Sequence, residues 1–208
     1  ASDGRVHISN IAGSVTVNGW SRDQVEVTGE LGRNVEELIF ERDGDKVSIK
    51  VKVPKKSGRG IESDLYIQVP EGSSIDVSTV SADIDVEKVS GEQSLGTVSG
   101  DIDTESAKSD VSAEAVSGDI EVSGQNEVTN TRANTVSGDV ILDGVAGVAD
   151  AESVSGEVTV IDGTFERIDM NTVNGSILFR SALQAGGKLT AETVNGDVDL
   201  EFTDSVSG

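Results

Sequence analysis

Six carboxylates stand at one step of a repeating pattern: Asp83, Asp101, Asp119, Asp139, Glu157 and Asp197, with Ser176 as the break. If the repeats stack in register, these groups lie about 5 Å apart, close enough for like charges to repel. Asp85, Asp103 and Asp199 add a second carboxylate two residues on, on the same face. Oxygen-rich rows of this kind suit a hard cation such as Ca²⁺. A solvated, salt-screened face with raised carboxyl pKa values fits the same residues. The spacing differs from the nonapeptide glycine–aspartate calcium repeat. No metal ligand or cofactor is therefore assigned, and Ca²⁺ stays as the alternative.

The carboxylates belong to a motif. Val80-Ser81-Ala82-Asp83-Ile84 opens a series that continues from Val98, Val116, Val136, Val154, Val173 and Val194, as Val-Ser-Gly-Asp-Ile and its variants. The valines are 18, 18, 20, 18, 19 and 21 residues apart. A near-constant period of this length predicts a solenoid, each repeat one coil stacked on the last. Apolar and polar residues alternate on both sides of the motif, which predicts half-buried strands. The phase differs between the sides. Leu189, Ala191 and Thr193 share one parity; Val194, Val198 and Leu200 share the other. A bend must absorb the slip, so the motif reads as a corner, with Gly100, Gly118, Gly138, Gly156, Gly175 and Gly196 in structural roles there. Ile84, Val86, Ile102, Ile120, Val122, Val140, Leu142, Val158, Val160, Ile177, Phe179, Val198 and Leu200 are the expected inward column.

The expected fold is all-β: a single-stranded β-helix with coils of about 18–21 residues, right-handed by the rule for parallel crossovers. Sustained helical periodicity is absent, and the 24 glycines work against helix. Residues 1–74 read as an N-terminal β section or cap, continuous with regular coils over 75–208, in one domain. Within that section Val25-Glu26-Val27 is a short strand. Residues 35–41 and 46–53 form a hairpin around Asp43-Gly44-Asp45, and Leu65–Val69 is a further strand. Residues 54–60 form a basic loop. Residues 6–17 already follow the repeat template. Seven regular coils would make a rod on the order of 35 Å long. The opening Ala1-Ser2-Asp3-Gly4 looks like the start of a processed chain. Val206-Ser207-Gly208 looks like the opening of another corner, leaving an exposed coil edge.

The formal net charge is −22 over 208 residues, and residues 73–208 hold −20 of it. Such a surface repels phosphate backbones and anionic lipid, which argues against nucleic acid as a partner. It attracts cations, cationic peptides and basic protein faces, and it also serves solubility. No apolar run reaches the ~20 residues of a membrane helix. Cysteine is absent, which removes disulfides and thiolate chemistry.

The repeats, with Gly13-Ser14-Val15-Thr16-Val17-Asn18-Gly19-Trp20 and the lead-in Ile67-Gln68-Val69-Pro70-Glu71-Gly72, resemble a bacterial adhesin-type family of β-strand repeat proteins of unknown function. The resemblance covers nearly the whole chain. It implies a β-helix in an exported protein: periplasmic, envelope-associated or extracellular. It supplies no catalytic residue.

Other candidates are few. Ser81, Ser99, Ser117, Ser137, Ser155, Asn174 and Asn195 form a polar column, either a ligand-reading face or, as is usual in turns, groups that bond the corner backbone. His7 is the only histidine, expected on the surface or cap. Trp20 and Tyr66 could stack on a sugar or anchor the cap core. Paired carboxylates could serve glycoside chemistry, but the coils have no spare residues for cleft-forming loops. The expected function is a non-enzymatic exported scaffold that presents an acidic face to a protein or surface ligand. The alternatives are an acidic protein that binds cations or cationic peptides, and a structural coil that self-assembles through open edges.

Overall fold

The computed structural model describes residues 4–54 and 59–203. The expectations about Ala1–Asp3, about residues 55–58 of the basic loop and about Val206-Ser207-Gly208 lie outside the described residues. All regular structure among the described residues is β.

The N-terminal part holds β1 (Arg5–Trp20), β2 (Glu26–Leu31), β3 (Glu37–Asp43), β4 (Lys46–Lys52), β5 (Ser63–Pro70) and β6 (Ser74–Glu87). Short strands follow: β7 (Gln93–Ser99), β8 (Ile102–Ser106), β9 (Val111–Ser117), β10 (Ile120–Gly124), β11 (Val128–Ser137), β12 (Val140–Asp143) and β13 (Ala146–Ser155). The chain closes with β14 (Val158–Asn174), β15 (Ile177–Asn195) and β16 (Val198–Phe202).

From β6 onward each coil is one strand, a corner of the Val-Ser-Gly-Asp type, a second strand and a short turn back. Like strands stack in parallel, so the solenoid has two walls. On the first wall Leu95, Ala113, Ala133, Ala151, Met170 and Ala191 pair in turn from β7 to β15. On the second, Ile84, Ile102, Ile120, Val140, Val158, Ile177 and Val198 do so from β6 to β16. The inward column expected from the sequence is buried as far as Phe179. The second wall is rich in branched residues because these pack well in a stacked column. Burying each large aliphatic side chain contributes about 1.5–3 kcal/mol. Ala113, Ala133 and Ala151 are fully buried on the first wall.

Stacking order departs from chain order at the N-terminal end. β1 stacks on β6, with Ile8 beside Val77 and Val15 beside Ile84. Its other edge carries β4 and β5, with Ile8 beside Ile49 and Val17 beside Ile67. Residues 46–70 therefore form the outermost level, although β1 precedes them in the chain. β3 and β2 then run antiparallel along the outer edges of β4 and β5. The β3–β4 hairpin turns at Gly44, whose φ is +59°, as the sequence led one to expect. These two strands occupy the edge that would otherwise offer unpaired backbone groups. At the other end β16 leaves Val198, Leu200 and Phe202 exposed. The Phe202 ring still meets Phe179 at 5.5 Å, and Phe179 meets Phe165 at 6.2 Å.

Candidate functional site

The corner recurs in each coil from β6 to β16, and its residues divide into those that hold the coils and those that face outward. Glycine is fixed by close approach. At Gly118 (φ +149°) a Cβ would overlap the carbonyl oxygen of Gly100, and at Gly138 (φ +150°) that of Gly118. The column from Gly100 to Gly196 meets the preceding coil's backbone in the same way. The structural role expected of these glycines thus has a steric cause.

Threonine, three residues before glycine, supplies the first ladder. Thr135 Oγ1 donates to the Gly118 carbonyl (3.0 Å), Ser153 to Gly138 (2.9 Å), Thr172 to Gly156 (3.0 Å) and Thr193 to Gly175 (2.9 Å). Thr97 serves Ala82 at 3.3 Å. The hydroxyls of Thr97, Thr135, Ser153 and Thr172 are buried, so each satisfies a corner carbonyl that the sheet ladder cannot reach. Ala115 occupies this position in β9 and has no hydroxyl to offer Gly100.

The acidic column is the second ladder. Asp83 Oδ1 accepts the N–H of Asp101 (3.1 Å), Asp101 that of Asp119 (2.9 Å), Asp119 that of Asp139 (2.8 Å), and Asp139 that of Glu157 (2.7 Å). At the break the Asp197 N–H turns to Ser176 Oγ at 3.4 Å. Each bonding carboxylate therefore pins the next coil with one oxygen. Among the described residues no three acidic, histidine or cysteine groups converge as metal ligands.

Asp85 and Asp103 face each other across β6 and β8. Partial burial, then the charges of Asp103, Glu87 and Glu105, push the Asp85 carboxyl above the usual range. Burial, then Glu87 and Glu105, does the same to Asp103. The outer side of this wall thus concentrates negative charge.

The first wall carries paired charge. Arg132 meets Asp150 at 3.3 Å, and Arg167 meets Asp169 at 2.6 Å. A hydrogen bond from Thr190, then Arg167, holds Asp169 below the usual range.

The leading valines point outward. Val80, Val98, Val116, Val136, Val154, Val173 and Val194 are 39–73% exposed. They form an apolar stripe along the corner, which the sequence reading did not single out. Its signal was present, because a valine stands before each corner from Val80 to Val194, while from Thr79 to Thr172 the small residue preceding it (Thr, Ala or Ser) is the buried one. On the first wall a groove runs beside the stripe, lined by Glu114, Asn134, Val136, Glu152, Val154 and Asn171.

Two expectations are corrected. The serines of the corner are exposed, and among the described residues their side chains make no bond to its backbone; threonine and aspartate do. Asn195 Nδ2 does donate to Asn174 Oδ1 at 3.0 Å. Tyr66 is half exposed on β5 and anchors no core. Trp20 donates from Nε1 to the Gln24 carbonyl and carries the Arg22 guanidinium over its ring at 4.8 Å. His7 pairs with Asp76 at 3.1 Å on the first wall.

A two-walled β-solenoid, ridged at one corner by a hydrogen-bonded carboxylate column, defines a β-repeat protein. The chain belongs to the Toastrack DUF4097 family, which residues 4–207 match. This is a β-repeat family of unknown function. No curated protein matches the chain.

Proposed function

We propose that the protein is a non-enzymatic interaction scaffold, exported to the bacterial envelope or surface, that holds a cationic partner against its acidic flank. The register-stacked carboxylates of the second wall and corner carry this reading. They are spaced by the coil repeat, and Asp85 and Asp103, whose pKa values are raised by partial burial first and by neighbouring carboxylates second, add to the same acidic flank. Cationic side chains would relieve the repulsion among them, which gives binding a favourable electrostatic term. Short turns between the strands support a scaffold rather than a catalyst, since a cleft needs longer loops. Export rests on the resemblance of the repeats to envelope-associated β-helices. An adhesin is the special case in which the partner sits on another surface.

The test is a binding isotherm for an unstructured lysine-rich peptide at low and high ionic strength. Binding should appear at low salt and fade at high salt. Asp101→Asn, Asp119→Asn and Asp139→Asn together should weaken it, since asparagine keeps the acceptor but removes the charge. Absence of binding at low salt refutes the electrostatic reading. Fractionation of the full-length protein in its native cell tests the location, and a cytoplasmic protein would overturn it.

A further inference from the structure

We propose that the valine stripe is the docking seam for an amphipathic cationic α-helix of a partner protein, lying along the solenoid axis. The inference rests on the scaffold reading above and names the partner's chemistry and seat.

Three observations support it. First, stacking does not require these valines. Thr97, Gly118 and Asp119 each have a partner in a neighbouring coil, whereas the leading valine is exposed at every corner from Val80 to Val194. Threonine would satisfy strand propensity equally well and remain soluble. A contiguous apolar strip on a protein this acidic is the mark of an interaction surface.

Second, both flanks of the stripe are acidic. Glu114 and Glu152 line the groove on the first-wall side. Asp101, Asp119, Asp139 and Glu157 form the column on the other. A second copy of this chain would bring carboxylates onto carboxylates, and an anionic membrane would be repelled as well. A helix with a narrow apolar stripe and Lys or Arg on both sides is complementary, its basic side chains reaching outward past the valines.

Third, the spacing fits a helix. Stacked coils repeat at about 4.8 Å, and the seven valines span about 29 Å. A helix turn rises about 5.4 Å, so its i, i+3, i+4, i+7 positions stay near the valine levels for several coils, and about 19 residues cover the ladder. An extended strand places same-face side chains about 6.8 Å apart and loses register sooner.

The experiment uses the full chain and a fluorescein-labelled synthetic peptide of about 19 residues, with leucine at i, i+3, i+4 and i+7 and lysine on both flanks. Its scrambled isomer keeps composition and charge but has no stripe. Fluorescence anisotropy is read at moderate salt for the wild type and for Val116→Ser, Val136→Ser and Val154→Ser combined. These valines are exposed, so the variant should keep its circular dichroism and melting curve. The expected result is a Kd raised about tenfold or more by the triple substitution. The scrambled peptide should bind the wild type as weakly as the helix peptide binds the variant. Equal binding of both peptides, or no change in the variant, overturns the valine seam and leaves the acidic scaffold standing. No binding of either peptide at low salt overturns both readings.

Discussion

Ala115 interrupts the threonine ladder, and filling the gap tests whether that ladder holds the solenoid together. At the same position Thr97, Thr135, Ser153, Thr172 and Thr193 each donate a hydroxyl to the preceding coil's corner carbonyl. Ala115 is buried and leaves the Gly100 carbonyl without that donor. Ala115→Thr should supply the missing rung, because the backbone already positions Thr97 and Thr135 on either side in register. A neutral hydrogen bond contributes about 0.5–1.5 kcal/mol net. In a chain of this size that raises Tm by about 1–6 °C. The reciprocal change, Thr135→Val, keeps the shape but strands the Gly118 carbonyl. An unsatisfied group of this kind costs about 1–3 kcal/mol, or roughly 2–12 °C. Urea denaturation followed by far-ultraviolet circular dichroism gives the size of each effect. Repeat arrays can unfold in parts, so hydrogen exchange across residues 97–120 and 130–140 should show where the change acts. If Ala115→Thr destabilises, or Thr135→Val leaves the curve unchanged, the hydroxyl rungs contribute nothing and the account of the corner fails.

Two further outcomes follow from the same geometry. Gly118→Ala should destabilise by about 2–5 kcal/mol, because Cβ meets the Gly100 carbonyl and φ +149° is unfavourable for alanine; a change below about 1 kcal/mol by denaturation would contradict the close approach. Asp85 and Asp103 have folded pKa values above their ordinary ones, so the folded state binds their protons more tightly than the unfolded chain. Their stabilising contribution is present below the unfolded pKa and is lost as pH rises through the folded pKa. Asp85→Asn with Asp103→Asn should therefore raise Tm at neutral pH, and the gain should shrink as pH falls toward the ordinary carboxyl range. A gain that stays constant across that window would show that charge is not the cause.

The coil, its corner and its inward column were legible because each depends on local rules repeated many times. A phase break between Thr193 and Val198 predicts a corner from parity alone, and the corner is there. The hairpin at Gly44 follows from turn chemistry in the same local way. Stacking order was not legible. β1 could pair with any strand of matching alternation, and nothing local says that β4 and β5 take one edge while β6 takes the other. The carboxylate column was visible, but its bond to the next coil's N–H was not, because a shared template position does not show which way a backbone N–H points. The serines misled for a related reason. Their type suits turn bonding, but the threonines and aspartates reach the unpaired backbone groups from better positions.

The corner separates two demands that share five residues. Glycine is set by the approach of the coils, threonine by a carbonyl it must satisfy, and aspartate by an N–H in the next coil. These positions cannot vary freely without loosening the stack. Valine and serine meet no such demand, since their side chains face outward. The surface chemistry of the ridge can therefore change without touching the fold, which suits a scaffold. That valine nevertheless stands at each corner from Val80 to Val194, where serine or threonine would be more soluble, is what the proposed seam accounts for. The aspartate column then has two roles, since the carboxylate that pins the next coil also charges the flank of the seam. Aspartate-to-asparagine changes keep the first role and remove the second, and so can separate them.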